Sequence, residues 1–249
     1  GSSAEEVSIQ SIKYLVGRIF VFTLYPFSFK EFLKAKDKKI LAIYAKGEYK
    51  IAILSELNIH LKEFILFGGY PRAVLAKDKE EKAIVLKNIF NTYMLKDVRE
   101  TFMIKEDFKL LKLVKTLSLQ DGQLINYSEL SSFTEINYHD LKKYFNILEK
   151  TYILSFVKPY LKNKRTEISK NPKTYFFDTG FLNACFDSFG DERITGQAYE
   201  NFVFSELVKK EVLPKFWRTK SKAEIDFVVE KGEEIIPIEV KSKIIDITL

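Results

Sequence analysis

The feature that most limits what this chain can fold into is an ordered change of apolar period between residues 106 and 178. EDFKLLKLVKTLSLQ repeats its apolar residues at helical spacing, DGQLIN is a turn, and YSELSSF predicts a short helix. NYHDLKKYFNILEKTYIL predicts a third helix whose inward positions are Leu141, Tyr144, Phe145 and Leu148. LSFVKPYLKNK and KTYFFD follow as two extended runs joined by a basic loop. Three helices and a two-stranded basic wing spell a winged helix-turn-helix. In that fold the third helix can enter the major groove while the wing tracks phosphates. Lys142 and Lys143 fall on the outer side of the third helix, and Lys162, Lys164 and Arg165 on the wing. These five are the candidate DNA contacts. The same fold also serves protein contacts, so the pattern alone does not choose the partner.

Charge placement leans towards a polyanion. The 249-residue chain carries +6 overall, and the window 137–173 holds nine Lys/Arg against three acids, which is the same +6. Such a local surface attracts nucleic acid; the plainer alternative is a solvated, Lys-rich face. The chain has one cysteine and two histidines, which excludes a disulfide framework and a Cys/His zinc site. Cys185 and His139 read as structural. A reducing cytosol is the expected location, any metal is expected to be hard and oxygen-bound, and no run is apolar enough to cross a membrane. Oligomeric state is left open.

Upstream, residues 4–15 predict an amphipathic helix and Ile19 and Val21 a short strand. Pro26 turns into a helix carrying Phe29, Phe32 and Leu33 on one side, and 50–66 is helical. FGGYPRAV breaks the pattern and restarts it, with Pro71 suited to a first turn. Residues 78–99 read as one long helix. Downstream come a helix (192–211) and strands at 215–219, 224–230 and 234–241, the last two joined by a Lys231-Gly232 turn.

The two final strands carry charges inside apolar runs. Alternation puts Glu239 and Lys241 on one face, and antiparallel pairing brings Asp226 near Glu239. Two carboxylates converging at a sheet edge suit magnesium or manganese, and a nearby lysine can orient a water or offset charge on a phosphate. Glu200, early in the preceding helix, can join them. The plain alternative is an antiparallel strand with one wet face.

The order helix-Glu200, strand-Asp226, Glu239-x-Lys241 resembles the PD-(D/E)xK nuclease superfamily, with Ile225 where its proline stands. The resemblance implies phosphodiester hydrolysis by Asp226, Glu239 and Lys241, with Mg or Mn on Asp226, Glu239 and Glu200. It also implies members that kept the fold and lost the chemistry.

Across residues 11–243, YLVGRIFVFTLYPFSFKEFL, FGGYPRAVL, NTYMLKDV, YFNILEKTYIL, NPKTYFFDTGFLN, GQAYENFVFSEL and FWRTKSKAEIDFV...IEVK appear in order. Together they resemble the C-terminal two-thirds of archaeal and bacterial AAA-type ATPases. That implies ATP as the full-length cofactor and a missing N-terminal ATPase core as neighbour, since G-x-x-x-x-G-K-[ST] is absent. It further implies nucleotide-sensing roles for Arg18 and for the turn with Gly69 and Pro71; a surface arginine and an ordinary helix start are the alternatives. The expected class is α+β, in four parts. These are a core remnant (1–34, Gly1-Ser2-Ser3 being sensor-like or a cloning scar) and a helical lid remnant (35–100). A winged helix-turn-helix (101–188) and a PD-(D/E)xK-like α/β domain (189–249) follow, the last expected to be short because the chain ends eight residues after Lys241. A DNA-acting enzyme and a non-catalytic, nucleotide-switched adaptor are both consistent with this reading.

Overall fold

The structure is a computed structural model that describes residues 20, 22–47, 51–98, 102, 104, 106–161, 163, 165, 167, 170–219, 221 and 223–242. The expected helix at 4–15, the strand residues Ile19 and Val21, and Arg18, Lys162 and Lys164 lie outside the described residues. The class is mixed, with helices dominating and two small antiparallel sheets among the described residues.

The chain first builds a helical layer. Helix α1 (Phe29–Lys36) starts where Ser28 and Glu31 satisfy each other's amides, a reciprocal cap. Asp37 then ends it and caps the next, accepting from the Lys39 and Ile40 amides to start α2 (Lys38–Lys46). Helix α3 (Ile51–Phe67) follows, and Phe29, Phe32, Leu33, Ile40, Phe64 and Val74 close a core between these elements. Phe202, from a helix much later in the chain, joins it, its ring 5.8 Å from Phe64.

The expected long helix at 78–99 is present as α5 (Lys79–Thr92), whose last turn widens into a π-helical stretch, Tyr93–Val98. Before it, the short α4 (Pro71–Val74) has Pro71 in its first turn.

Three helices follow at the expected places: α6 (Asp107–Leu119), α7 (Tyr127–Thr134) and α8 (Tyr138–Lys150). Leu110, Leu113, Val114 and Leu117 of α6 meet Leu130 of α7 and Leu141, Phe145 and Leu148 of α8 in the largest core. Tyr144 packs against this core half-buried. Asn126 and Asn137 cap α7 and α8. Strands β1 (Leu154–Val157) and β2 (Lys173–Phe176) pair antiparallel with Leu154 opposite Phe176, and Leu124 bridges to Lys173 on the other edge of β2. The short α9 (Thr179–Ala184), which periodicity does not reveal, comes next.

The tail consists of α10 (Gly196–Val208), β3 (Lys215–Arg218), β4 (Glu224–Lys231) and β5 (Glu234–Ile238). The helix is shorter than expected because Thr195 caps it late and a separate 3-10 turn holds Asp191–Arg193. Gly232, at φ +62°, permits the β4–β5 turn, and Phe227 faces Ile238 across it.

The helical unit and the tail share structure. Pro159, just past β1, bridges to Phe216 of β3, and the Phe216 amide donates to the Lys158 carbonyl at 3.1 Å. Val157, Tyr175 and Phe177 enter one core with Phe204, Val208, Phe216 and Phe227. The buried Glu167, in the β1–β2 loop, pairs with Lys215 at 2.9 Å. The loop expected to project as a wing is therefore tied at this point to β3.

Candidate functional site

The outward side of α8 is the first candidate surface. Its inner face is consumed by the core, and burial of Leu141, Phe145 and Leu148 turns Tyr138, Lys142 and Lys143 to solvent. Tyr138 is 53% exposed, and the Lys142 ammonium stands over its ring at 4.5 Å from the centroid. An exposed aromatic ring with a cation across it can both stack and pair with phosphate. Arg165 is also exposed, its amide bonded to Asn163 Oδ1 at 3.0 Å. Of the nine cations in the basic window, Lys173 is no part of the surface: it is buried.

The charged residues of the tail form the second candidate. Asp226 stands in β4, half-buried, and its Oδ2 accepts the Val240 amide at 2.7 Å, which fixes the chain just beyond β5. Glu239 and Lys241 pair with each other in the open. That contact, followed by the nearby Asp226 charge, raises the Lys241 pKa. Glu200 projects from α10, where Oε1 accepts from Lys173 Nζ at 2.9 Å and from the Tyr175 hydroxyl. Burial raises the Glu200 carboxyl; Lys173 and Tyr175 oppose this, and Asp226 adds to it.

Lys173 is the hub. It reaches Glu200 and, at 2.5 Å, Glu224 of β4, which in turn pairs with Arg218 of β3 at 3.4 Å. Burial pulls the Lys173 pKa down, but the two carboxylates outweigh it and hold the ammonium charged. Asp226 thus lies within electrostatic reach of both Glu200 and Lys241, while the carboxylates do not converge on one point. Among the described residues no group of three or more His, Cys, Asp or Glu is placed to hold a metal ion. Each of Asp226, Glu239 and Glu200 already has a donor from the protein. The residues as placed do not fit the Mg or Mn ion that the nuclease resemblance implies.

Lys173, Tyr175 and Glu224 were not among the residues singled out from the sequence. The signal was partial: Lys173 and Tyr175 open the string KTYFFDTG, but a lysine at a strand start reads as solvated.

The GGYP turn is a clasp. Gly69 donates its amide to Asp178 Oδ2 at 2.7 Å and accepts the Phe27 amide at 2.8 Å. Asp178 Oδ1 takes the Phe181 amide at 2.9 Å, so one carboxylate caps α9 and holds the turn. Thr179 and Asn183 add bonds to the Phe64, Ile65 and Leu66 carbonyls at the end of α3. Gly68 adopts φ +66°, and a side chain on Gly69 would strike the Phe27 carbonyl. Pro71 starts α4.

A domain of mixed helices and small sheets with a three-helix unit and a charged tail is thus the class the structure defines. Residues 58–192, more than half of the chain, match the family model "Domain of unknown function (DUF8612)", and the chain belongs to that family. Residues 195–246 match "Domain of unknown function (DUF4143)". The chain is 28% identical over 249 residues to an uncharacterized protein of Haemophilus influenzae, covering 98% of this chain and 58% of that protein. It is 26% identical to an uncharacterized protein of Methanocaldococcus jannaschii, covering 96% and 54%. A Mycobacterium tuberculosis relative is 24% identical over 71% of this chain and 42% of its own length. The chain therefore spans about half the length of these curated relatives. No solved structure matches it. No helix among the described residues is long and apolar enough to cross a membrane.

Proposed function

We propose that this chain is the DNA-binding portion of an ATPase-associated protein, with α6–α8 and β1–β2 acting as a winged helix-turn-helix. The observation that carries the reading is the outward face of α8, where Lys142, Lys143 and Tyr138 stand exposed on a helix whose other face is locked in the core. Helix order, the capped α7–α8 turn and the Leu124–Lys173 bridge support the same reading. Arg165, with Lys162 and Lys164, would add phosphate contacts from the wing. The greater length of the relatives leaves room for the ATPase core that the sequence resemblance implies, and residues 1–98 would join that core to the DNA-binding unit. Gly69, Pro71 and Arg18 would then couple nucleotide state to the clasp at Asp178. The tail is read as a PD-(D/E)xK-like domain that has kept the order of residues, and its engaged carboxylates favour binding over cleavage.

The test is a gel-shift titration of a duplex oligonucleotide, without added metal. The wild-type chain is expected to retard it, and Lys142→Glu with Lys143→Glu to abolish the shift. Retention of full binding by that variant would remove α8 from the interface.

A second reading, cleavage by the tail, has one observation behind it: the Asp226 carboxylate accepts the amide of Val240, the residue between Glu239 and Lys241, at 2.7 Å. Nicking of supercoiled plasmid with manganese, lost in Asp226→Ala, would establish it in place of the binding-only tail.

A further inference from the structure

The exposed ring of Tyr138 is held more firmly than a solvated side chain needs to be. Tyr138 is the first residue of α8, beside the Asn137 cap that accepts the Asp140 amide at 3.0 Å. Its ring meets Tyr127 of α7 edge to face, with 5.2 Å between centroids and 66° between planes. Tyr127 lies 5.6 Å from the buried Phe145 of α8, and Phe145 stacks on Phe156 of β1 at 4.3 Å. Four rings thus run from the wing strand through the core to the surface, and Tyr138 is the one that emerges. Aromatic pairs prefer set distances and angles, so this column fixes where the last ring stands.

What stands over that ring is not packing. Tyr138 is 53% exposed, and the Lys142 ammonium across it ends an exposed side chain. An exposed cation can leave the ring for a phosphate when a base takes its place. In a helix-turn-helix, the first residues of the second helix are those that reach the bases. Inside an intact duplex they meet base edges only, which suit hydrogen bonds and small apolar contacts. The flat face of a tyrosine ring has nothing to stack on there. It gains when a base is unpaired and offers its own face.

We propose that Tyr138 is a stacking platform for an unpaired base, so that the preferred ligand of the α8 face is a DNA duplex opening into splayed strands. The inference rests on the reading of α8 as the DNA face and adds which DNA that face selects. Lys143 grips a phosphate of the paired arm. Lys142 moves from the ring to the phosphate of the open nucleotide, and Tyr138 takes the base of that nucleotide on its face. Tyr127, Phe145 and Phe156 hold the ring in place behind it.

The test is fluorescence anisotropy of the whole chain, at one salt concentration and without metal, on two ligands of equal length. One is a fully paired duplex; the other is mismatched at one end, so that its strands splay while the number of phosphates is unchanged. Wild type is expected to bind the splayed ligand at least about fivefold more tightly, the lower end of what one stacked base contributes. Tyr138→Leu is expected to bring the ratio of the two affinities close to one. Tyr138→Phe, which keeps the ring and loses only the hydroxyl, is expected to preserve the ratio. Lys143→Ala is expected to weaken both ligands and leave the ratio as in wild type. Equal wild-type affinity for the two ligands overturns the inference and leaves α8 as a DNA face. A preference that survives in Tyr138→Leu, or vanishes in Tyr138→Phe, overturns it too. Binding of neither ligand overturns the reading of α8 as well.

Discussion

Lys173 shows how one residue can look like surface and act as core. In the sequence it belongs to a basic window and begins a strand, which suggests solvent. In the fold its ammonium is enclosed between Glu200 and Glu224, contacts 27 and 51 positions away that no local pattern announces. Removing one partner of a buried ion pair leaves the other charge uncompensated, so Lys173→Met is expected to cost about 3–5 kcal/mol in urea denaturation. A loss near that of an exposed pair, about 1 kcal/mol or less, would show the network to be solvated. Asp178 makes a pH prediction. Burial, resisted by Lys209 and three backbone amides, holds its pKa above the usual carboxylate range. The folded state therefore keeps a proton that the unfolded chain releases. The Asp178 contribution is full below the unfolded value, about pH 4, and is lost as pH rises through the folded one. Asp178→Asn, which also loses an amide acceptor worth roughly 1–3 kcal/mol, is expected to lie furthest below wild type in acid, the gap narrowing towards neutrality. A gap constant between pH 4 and 7 would contradict the shift.

At the scale of elements, regular periodicity was legible and tertiary fastening was not. Helices α6, α7 and α8 and the β4–β5 hairpin stand where apolar spacing and the Lys231-Gly232 turn put them. Asp37, which stops α1 and starts α2 in one step, went unread because a single capping aspartate leaves no trace in periodicity. Helix α9 is shorter than the sequence window that reveals a helix, and it is held by Asp178, Thr179 and Asn183 against the end of α3. FGGYP and DTGFLN were each visible as strings, yet their mutual contact spans more than a hundred positions. Their interlock explains the glycine at 180, where a side chain would strike the Phe67 carbonyl. Gly180→Ala is expected to destabilise the chain by about 1–3 kcal/mol, read as a lower urea midpoint at unchanged slope. Wild-type stability in that variant would mean that α3 and α9 do not approach so closely.

On the whole-molecule scale, the tail and the three-helix unit share a core through Tyr175, Phe177, Phe204, Phe216 and Phe227. The sequence reads as successive parts, and nothing in it shows that the chain just past β1 runs alongside β3. One cooperative unfolding is expected. Trp217, the single tryptophan, reports on the tail and far-ultraviolet circular dichroism on the helices, so the two denaturation curves should coincide. Separate midpoints would mean independent units. The candidate DNA face was legible as Lys142 and Lys143 on the outside of a helix, whereas the closed pairing of the tail carboxylates needed the fold. The most direct test of DNA binding through α8 is the salt dependence of duplex affinity, measured by fluorescence anisotropy without metal, for wild type and Lys142→Ala with Lys143→Ala. A steep fall with salt in the wild type, and a slope reduced by about 2 in the variant, is the expected result, since each phosphate contact contributes about 0.9. Affinity independent of salt, or equal slopes in the two proteins, would contradict it.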